Sequence, residues 1–289
     1  MGSKSYTRVP NPAAVTCSSD PVSLTSCSYV VLRSNRTSNR AQPTFKPSRT
    51  CRQSSAFPRT WEVFEDIEVE IVQLFPINHL NLGADELPPG MWSGSPAVSR
   101  LKTEHGLKTS DDVQGWALNK MAGLLAARGI RPAAWEEAAN GSNGGIGNNA
   151  LLFSWTGQQA AIDAAKAGYD IIMSPAQHVY LDMAHTDHED DWGAAWAAFV
   201  SLEDSVAWSV IPDKSIAKRV IGVEGTFWSE FTTEDHEMEA MLASRILGVA
   251  IMGWSREHAA QTASFGGDAC AFCEILTNMN WTWNASCFD

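Results

Sequence analysis

Residues 111–155 read DDVQGWALNKMAGLLAARGIRPAAWEEAANGSNGGIGNNALLFSW, and their pattern decides the fold. Asp111 and Asp112 are carboxylates at the positive end of a helix dipole; the helix Val113–Arg128 follows and Gly129 closes it. Ile130–Trp135 is too short for another helix and reads as a buried strand that ends on Glu136 and Glu137. A loop rich in Gly and Asn, 140–149, leads to a similar strand, Ala150–Trp155. That loop lacks the strand-turn-helix context of a phosphate site and is expected to be a flexible connection.

The same alternation extends outward in both directions. Upstream, Trp61–Phe75 carries apolar residues at helical spacing and stops at Pro76, and the short apolar run His79–Gly83 breaks at Asp85, Glu86 and the Pro88-Pro89-Gly90 turn. Downstream come a helix, Gln158–Ala167, ended by Gly168, and a strand, Asp170–Met173, before Pro175. A long polar connection and a helix-like run, Trp196–Leu202, precede a fifth strand, Val220–Phe227, and a helix, Thr233–Leu247. Short buried strands joined by helical crossovers predict an α/β fold with a parallel sheet. Chemically distinctive residues follow each strand's C-terminal end, as in the active face of a (β/α)8 barrel.

The 289 residues include 21 Lys plus Arg against 33 Asp plus Glu, a net charge of -12 that argues against nucleic acid as a partner. The charge is unevenly placed. Residues 1–59 hold nine basic residues against Asp20 alone, whereas the remainder holds 12 against 32 acids. This first segment is rich in Ser, Arg and Pro and has no apolar period, so it is expected to be disordered. Three origins stay open for it: a plain tail, a targeting segment, or foreign, out-of-frame sequence. The expected division is therefore 1–59 and a barrel portion over 60–289. No run reaches the ~18 apolar residues of a membrane span, and no secretory signal is visible. Compartment and oligomeric state are left open. The six cysteines avoid positions 52–269, and Cys270-x-x-Cys273 has no second pair to complete a zinc site.

Asp85 and Glu86 carry the first chemical signal. At a frayed strand end both carboxylates turn toward one pocket, and close acids cannot ionise independently, which gives a proton donor beside an anion. The second signal is aromatic. Of 12 tryptophans, Trp92, Trp135, Trp155, Trp192 and Trp228 fall at or after strand ends. Flat aromatic walls interspersed with acids suit a sugar ring, whose C–H faces stack while its hydroxyls meet Asp and Glu.

Five blocks appear in order: Asn81-Leu-Gly-Ala-Asp85-Glu86-Leu-Pro-Pro-Gly-Met-Trp92, Ala134-Trp135-Glu136-Glu137, Ser154-Trp155, Val179-Tyr180-Leu-Asp182 and Gly222-Val-Glu-Gly-Thr-Phe-Trp228-Ser-Glu230. Together they resemble the catalytic barrel of glycoside hydrolase family 20, the β-N-acetylhexosaminidases, from about Thr60 to Trp254. The resemblance implies a (β/α)8 TIM barrel of which this chain holds the last five strands. It implies hydrolysis of terminal β-linked N-acetylglucosamine or N-acetylgalactosamine by a retaining route in which the substrate's own acetamido group is the nucleophile. Glu86 is then the general acid and base, and Asp85 orients the acetamido group. Tyr180 bonds its carbonyl oxygen; Trp135, Trp155 and Trp228 wall the pocket; Asp182 and Glu230 take ring hydroxyls. The resemblance implies no metal and no organic cofactor.

The chain departs from that pattern at Asn81, where relatives carry His, and in lacking three upstream strands with a sugar-binding Arg. An open barrel edge follows. Two other functions stay open: a half-barrel that binds carbohydrate without turnover, and a metal-dependent hydrolase built on His178, Asp182, His185, Asp187 and His188.

Overall fold

The computed structural model describes residues 58–189, 191–230, 232–254 and 265–283, so the expected disorder over 1–59 concerns residues that lie, but for the last two, outside the described ones. Five strands form one parallel sheet whose spatial order is the chain order. They are β1 His79–Asn81, β2 Arg131–Trp135, β3 Leu151–Ser154, β4 Asp170–Met173 and β5 Val220–Val223. The helices are α1 Pro58–Leu74, α2 Pro96–His105, α3 Ser110–Ala126, α4 Gln158–Lys166, α5 Ala176–Val179, α6 Asp235–Leu242, α7 Arg245–Trp254 and α8 Phe265–Asn278.

Period-two alternation sorts the strands between two apolar layers. Ala133, Trp135, Leu151, Phe153 and Ile172 form one. Ala134, Leu152, Ile171 and Met173 face the other way, into the layer that holds Leu118 and Ala122 of α3, Ala161, Ala164 and Ala165 of α4, and Met252 of α7. Register explains this: Ala133 pairs with Leu151, Trp135 with Phe153 and Phe153 with Ile172. A sheet buried on both faces needs uninterrupted apolar strands, which is why these read as runs and not as alternations. At the opposite end of the strands Asp170 takes Arg131 at 2.7 Å and Arg219 at 3.1 Å, tying β2, β4 and the start of β5 together.

Four expectations are corrected. Trp196–Leu202 is not helical: Ala194 N–H bonds Asp182 O and Val200 N–H bonds Ala184 O, so the backbone is committed to an extended pairing with the 182–184 segment. Thr233–Leu247 is two helices, broken so that Arg245 starts α7 with its side chain turned inward among backbone carbonyls. The fifth strand stops at Val223 because Thr226 N–H leaves β4 and pairs with Val179 O, while Leu181 N–H pairs with Thr226 O. The 140–149 loop is pinned: Asp112 Oδ1 accepts Ser142 N–H at 2.7 Å and Ser142 O–H at 2.8 Å, and Ile146 is buried. These bonds, with those from Lys108 and Thr109, hold the Asp112 carboxyl far below its usual range.

Helix α2 was not anticipated, although its signals are plain: Ser95 caps Val98 N–H, Pro96 opens the helix, and Gly106 ends it at φ 68°. Helix α8 was also missed; Cys273 is buried there with Leu276 against Ala243.

Candidate active site

All five strand ends open on one cleft of about 390 Å³, lined by Asp85, Glu86, Trp135, Trp155, Tyr180, Asp182, Ala194, Trp196, Trp228 and Glu230. The eight residues singled out from sequence are all in that lining. All five strands contribute, through the loops that follow them or, for Trp135, the strand's last residue, so the sheet sets their spacing and the loops their direction.

The loop after β1 is unusual in backbone. Ala84 and Glu86 adopt φ 85° and 51°, a left-handed region costly for residues with a Cβ. Three side chains hold the turn. Asn81 Oδ1 accepts Gly83 N–H at 2.8 Å, Gln114 Nε2 donates to Ala84 O at 3.1 Å, and Glu137 Oε1 accepts Glu86 N–H at 3.3 Å. Asn81, the departure from the family pattern, therefore acts as a backbone cap. Asp85 and Glu86 are exposed to the cleft.

The aromatic wall is continuous. Trp135 meets Trp228 at 6.2 Å between centroids, Trp228 meets Tyr180 at 6.5 Å, and Tyr180 stacks on Trp155 at 6.4 Å with planes 22° apart. Trp196 stands edge-on to both Trp155 and Tyr180, at 5.6 and 5.8 Å. Trp196 was missed as a cleft residue because the helix expected over it gave its side chain no reason to face the sheet's end. Trp92 packs instead on Val98 and Leu101, and Trp192 is an exposed residue outside the lining.

Electrostatics follow burial. The Tyr180 hydroxyl is pushed well above its usual range by burial, against a hydrogen bond from Trp228. Burial likewise pushes Asp182 up to about 6, and Glu230 adds to the rise while Arg245 opposes it. Asp182 Oδ1 is buried without a hydrogen-bond partner, a free acceptor of the kind a ring hydroxyl satisfies. Glu224, just past β5, is pushed up to about 7 by burial.

A buried guanidinium fixes the segment carrying Tyr180 and Asp182. Arg245 Nη2 donates to Leu181 O at 2.7 Å, and Nη1 donates to Met183 O at 2.7 Å and Val200 O at 3.0 Å. It thus grips the carbonyls on both sides of Asp182, and no spacing rule pointed to it.

The histidine cluster of the metal reading is not assembled. His178 Nδ1 lies 2.9 Å from Asp204 O and its ring stacks on Trp208, while Asp182 faces the cleft. Burial and the Arg245 charge push His185 down to about 4, and a guanidinium beside it repels a cation. Among the described residues no three His, Cys, Asp or Glu side chains gather into a metal-binding group.

The sequence matches the glycosyl hydrolase family 20 catalytic domain over residues 14–257, a stretch that reaches back into the 1–59 segment whose origin the sequence left open. It is 30% identical over 204 residues to a beta-hexosaminidase of Vibrio furnissii, covering 69% of this chain and 33% of that protein. It is 26% identical over 217 residues to one of Porphyromonas gingivalis, covering 74% and 26%. The chain thus spans a quarter to a third of the length of these relatives. In three dimensions it matches the exo beta-N-acetylglucosaminidase of Vibrio harveyi, solved with N-acetylglucosamine, with a TM-score of 0.71 and 27% identity over 80% of this chain and 36% of that one. The fold of the Streptomyces coelicolor beta-N-acetylhexosaminidase is matched with a TM-score of 0.64 at 22% identity. The five-stranded sheet is therefore part of a (β/α)8 barrel, and the chain belongs to glycosyl hydrolase family 20.

Proposed function

We propose that this chain carries the catalytic face of a β-N-acetylhexosaminidase that removes terminal β-linked N-acetylglucosamine or N-acetylgalactosamine. The observation that carries this is the single cleft in which two exposed adjacent carboxylates meet an aromatic wall and a buried, unpartnered carboxylate oxygen. Glu86 protonates the departing glycosidic oxygen and then draws a proton from water. Asp85 holds the 2-acetamido group while its carbonyl oxygen attacks the anomeric carbon, and the high-pKa Tyr180 hydroxyl stays a hydrogen-bond donor to that oxygen. Trp135, Trp155 and Trp228 stack on the ring and the acetamido methyl; Asp182 and Glu230 accept from ring hydroxyls.

The test uses 4-nitrophenyl N-acetyl-β-glucosaminide with the full chain. Hydrolysis is expected there and not with the β-glucoside, which lacks the nucleophile. Glu86→Gln is expected to abolish turnover of unactivated disaccharides while sparing the nitrophenyl substrate more, because only poor leaving groups need full protonation. Asp85→Asn is expected to lower kcat by orders of magnitude on both. Equal hydrolysis of glucoside and acetamido substrate would overturn the assignment, and tight sugar binding with no turnover would favour a carbohydrate-binding half-barrel.

A further inference from the structure

Glu137 is absent from the cleft lining, yet it touches two residues that form it. Its carboxylate accepts the Trp155 indole N–H at 3.1 and 3.0 Å on its two oxygens, and Oε1 also accepts Glu86 N–H at 3.3 Å. One carboxylate thereby spans the loops after β1, β2 and β3. Its neighbour Glu136 does different work, accepting Trp155 N–H at 3.1 Å, Thr156 N–H at 3.0 Å and the Thr156 hydroxyl at 2.5 Å, so its bonds all go to the two residues just beyond β3 and none to the β1 loop.

We infer that Glu137 is a positioning residue that locks the left-handed backbone of Glu86 to the Trp155 indole, so that the proton donor and the aromatic wall move as one unit. The inference deepens the hexosaminidase reading, on which Glu86's role rests. Both bonds run to an ionisable oxygen and are charge-assisted, stronger than neutral equivalents. Asn81 and Gln114 hold the turn up to Ala84, and the Glu137 bond holds the Glu86 N–H itself at the left-handed φ of 51°. A sugar pressing on the Trp155 face therefore pushes on the group that sets where Glu86 stands. Misplacing a reacting group by about 1 Å costs on the order of 100-fold in rate, so small motions at Glu137 matter.

The lock is also readable without turnover. Burial raises the Glu137 pKa, and the bonds from Trp155 and Glu86 oppose that rise. The ionisable side chains around it are Glu136 on its own turn and, on the cleft side of Trp155, Asp85, Glu86, Tyr180 and Asp182. The experiment is a pH titration of the full chain by 15N NMR, with the Trp155 indole resonance identified by its loss in Trp155→Phe. The indole N–H of Trp155 and the amide N–H of Glu86 are expected to titrate with one shared midpoint above that of an ordinary glutamate. That shared step is expected to vanish from both resonances in Glu137→Gln. In Trp155→Phe, which removes one bond to the carboxylate, the Glu86 midpoint is expected to move up; this arm stands if Glu137→Gln does not fold. The absence of a shared midpoint, a shared step that persists in Glu137→Gln, or an unmoved midpoint in Trp155→Phe would overturn the inference. In an active chain Glu137→Gln is expected to lower kcat about 10-fold or more with KM little changed, because no substrate contact is lost; a rise in KM alone would overturn it. Absence of hydrolysis by the parent chain counts against the proposed activity and leaves the NMR result to decide the lock.

Discussion

Replacing Arg245 by Met leaves a hole in the hydrogen bonding of the core. The guanidinium is fully buried and serves Leu181 O, Met183 O and Val200 O in addition to Met241 O one turn back, at 2.7 to 3.1 Å. A buried carbonyl stripped of its partner costs about 1–3 kcal/mol, so three distant carbonyls set an upper range near 9 kcal/mol. Water entry and relaxation reduce that, and breaking a buried charged network typically costs about 3–5 kcal/mol. For a domain of this size such a loss corresponds to a fall of about 10 °C in Tm. Equilibrium urea unfolding followed by tryptophan fluorescence measures it directly. Arg245→Lys, which keeps the charge but reaches fewer carbonyls, is expected to fall between the parent and Arg245→Met. The reasoning is refuted if Arg245→Met unfolds within about 1 kcal/mol of the parent, since the carbonyls would then have found other donors at no cost.

Three further outcomes follow from the structure. Burial raises folded Asp182 to about 6 from an ordinary 3.8, so the unfolded chain loses its proton first as pH rises; the penalty on folding is absent below about pH 4, grows to about pH 6 and is complete above it. Asp182→Asn is accordingly expected to be more stable than the parent by about 1–3 kcal/mol at pH 7, with the advantage shrinking toward pH 4; an advantage that does not change with pH would count against the buried carboxylate. Gly193 sits at φ 135° with room for no Cβ: the atom would lie 2.7 Å from Ala184 N and 2.8 Å from Asp182 O, so Gly193→Ala is expected to cost about 2 kcal/mol or more in urea unfolding and to disturb the Asp182 segment, and a neutral result would show that the segment yields. Glu68 on α1 is buried with both carboxylate oxygens unpartnered and is pushed up to about 7 by burial; Glu68→Met is expected to stabilise the fold at pH 8 and to lose that benefit near pH 4, as thermal melts at the two pH values would reveal.

The strands were legible because each is a short apolar run bounded by polar or turn residues, and Gly129 and Gly168, at φ 75° and 102°, mark the helix stops before β2 and β4. Asp85, Glu86, Trp135, Trp155, Tyr180, Asp182, Trp228 and Glu230 were legible because a strand end has one fixed side of the sheet on which to deliver its next residue. What escaped were interactions made by groups distant in the chain. Arg245 looks like an ordinary helix residue until its carbonyl partners, 62 and 64 positions earlier, are brought beside it. Trp196 follows a similar logic: its segment pairs with 182–184 through backbone bonds that no side-chain pattern announces. The pinned 140–149 loop depends on Asp112, whose own position is fixed by the capping box it forms with Thr109.

Because strand order in the sheet is strand order in the chain, each strand after β1 finds its partner already made as it emerges from the ribosome. Core layers can accumulate one crossover at a time, through short connections on either side of β3 and much longer ones before β2 and after β4, where the loop-closure entropy of a parallel pairing is greatest. The cleft does not share that gradual history. Its first acids are translated at positions 85 and 86, but Trp228 and Glu230 come only after β5, and the guanidinium that grips the Asp182 segment comes at position 245. A nascent chain halted anywhere between β4 and α7 therefore has most of its sheet and an unfinished cleft.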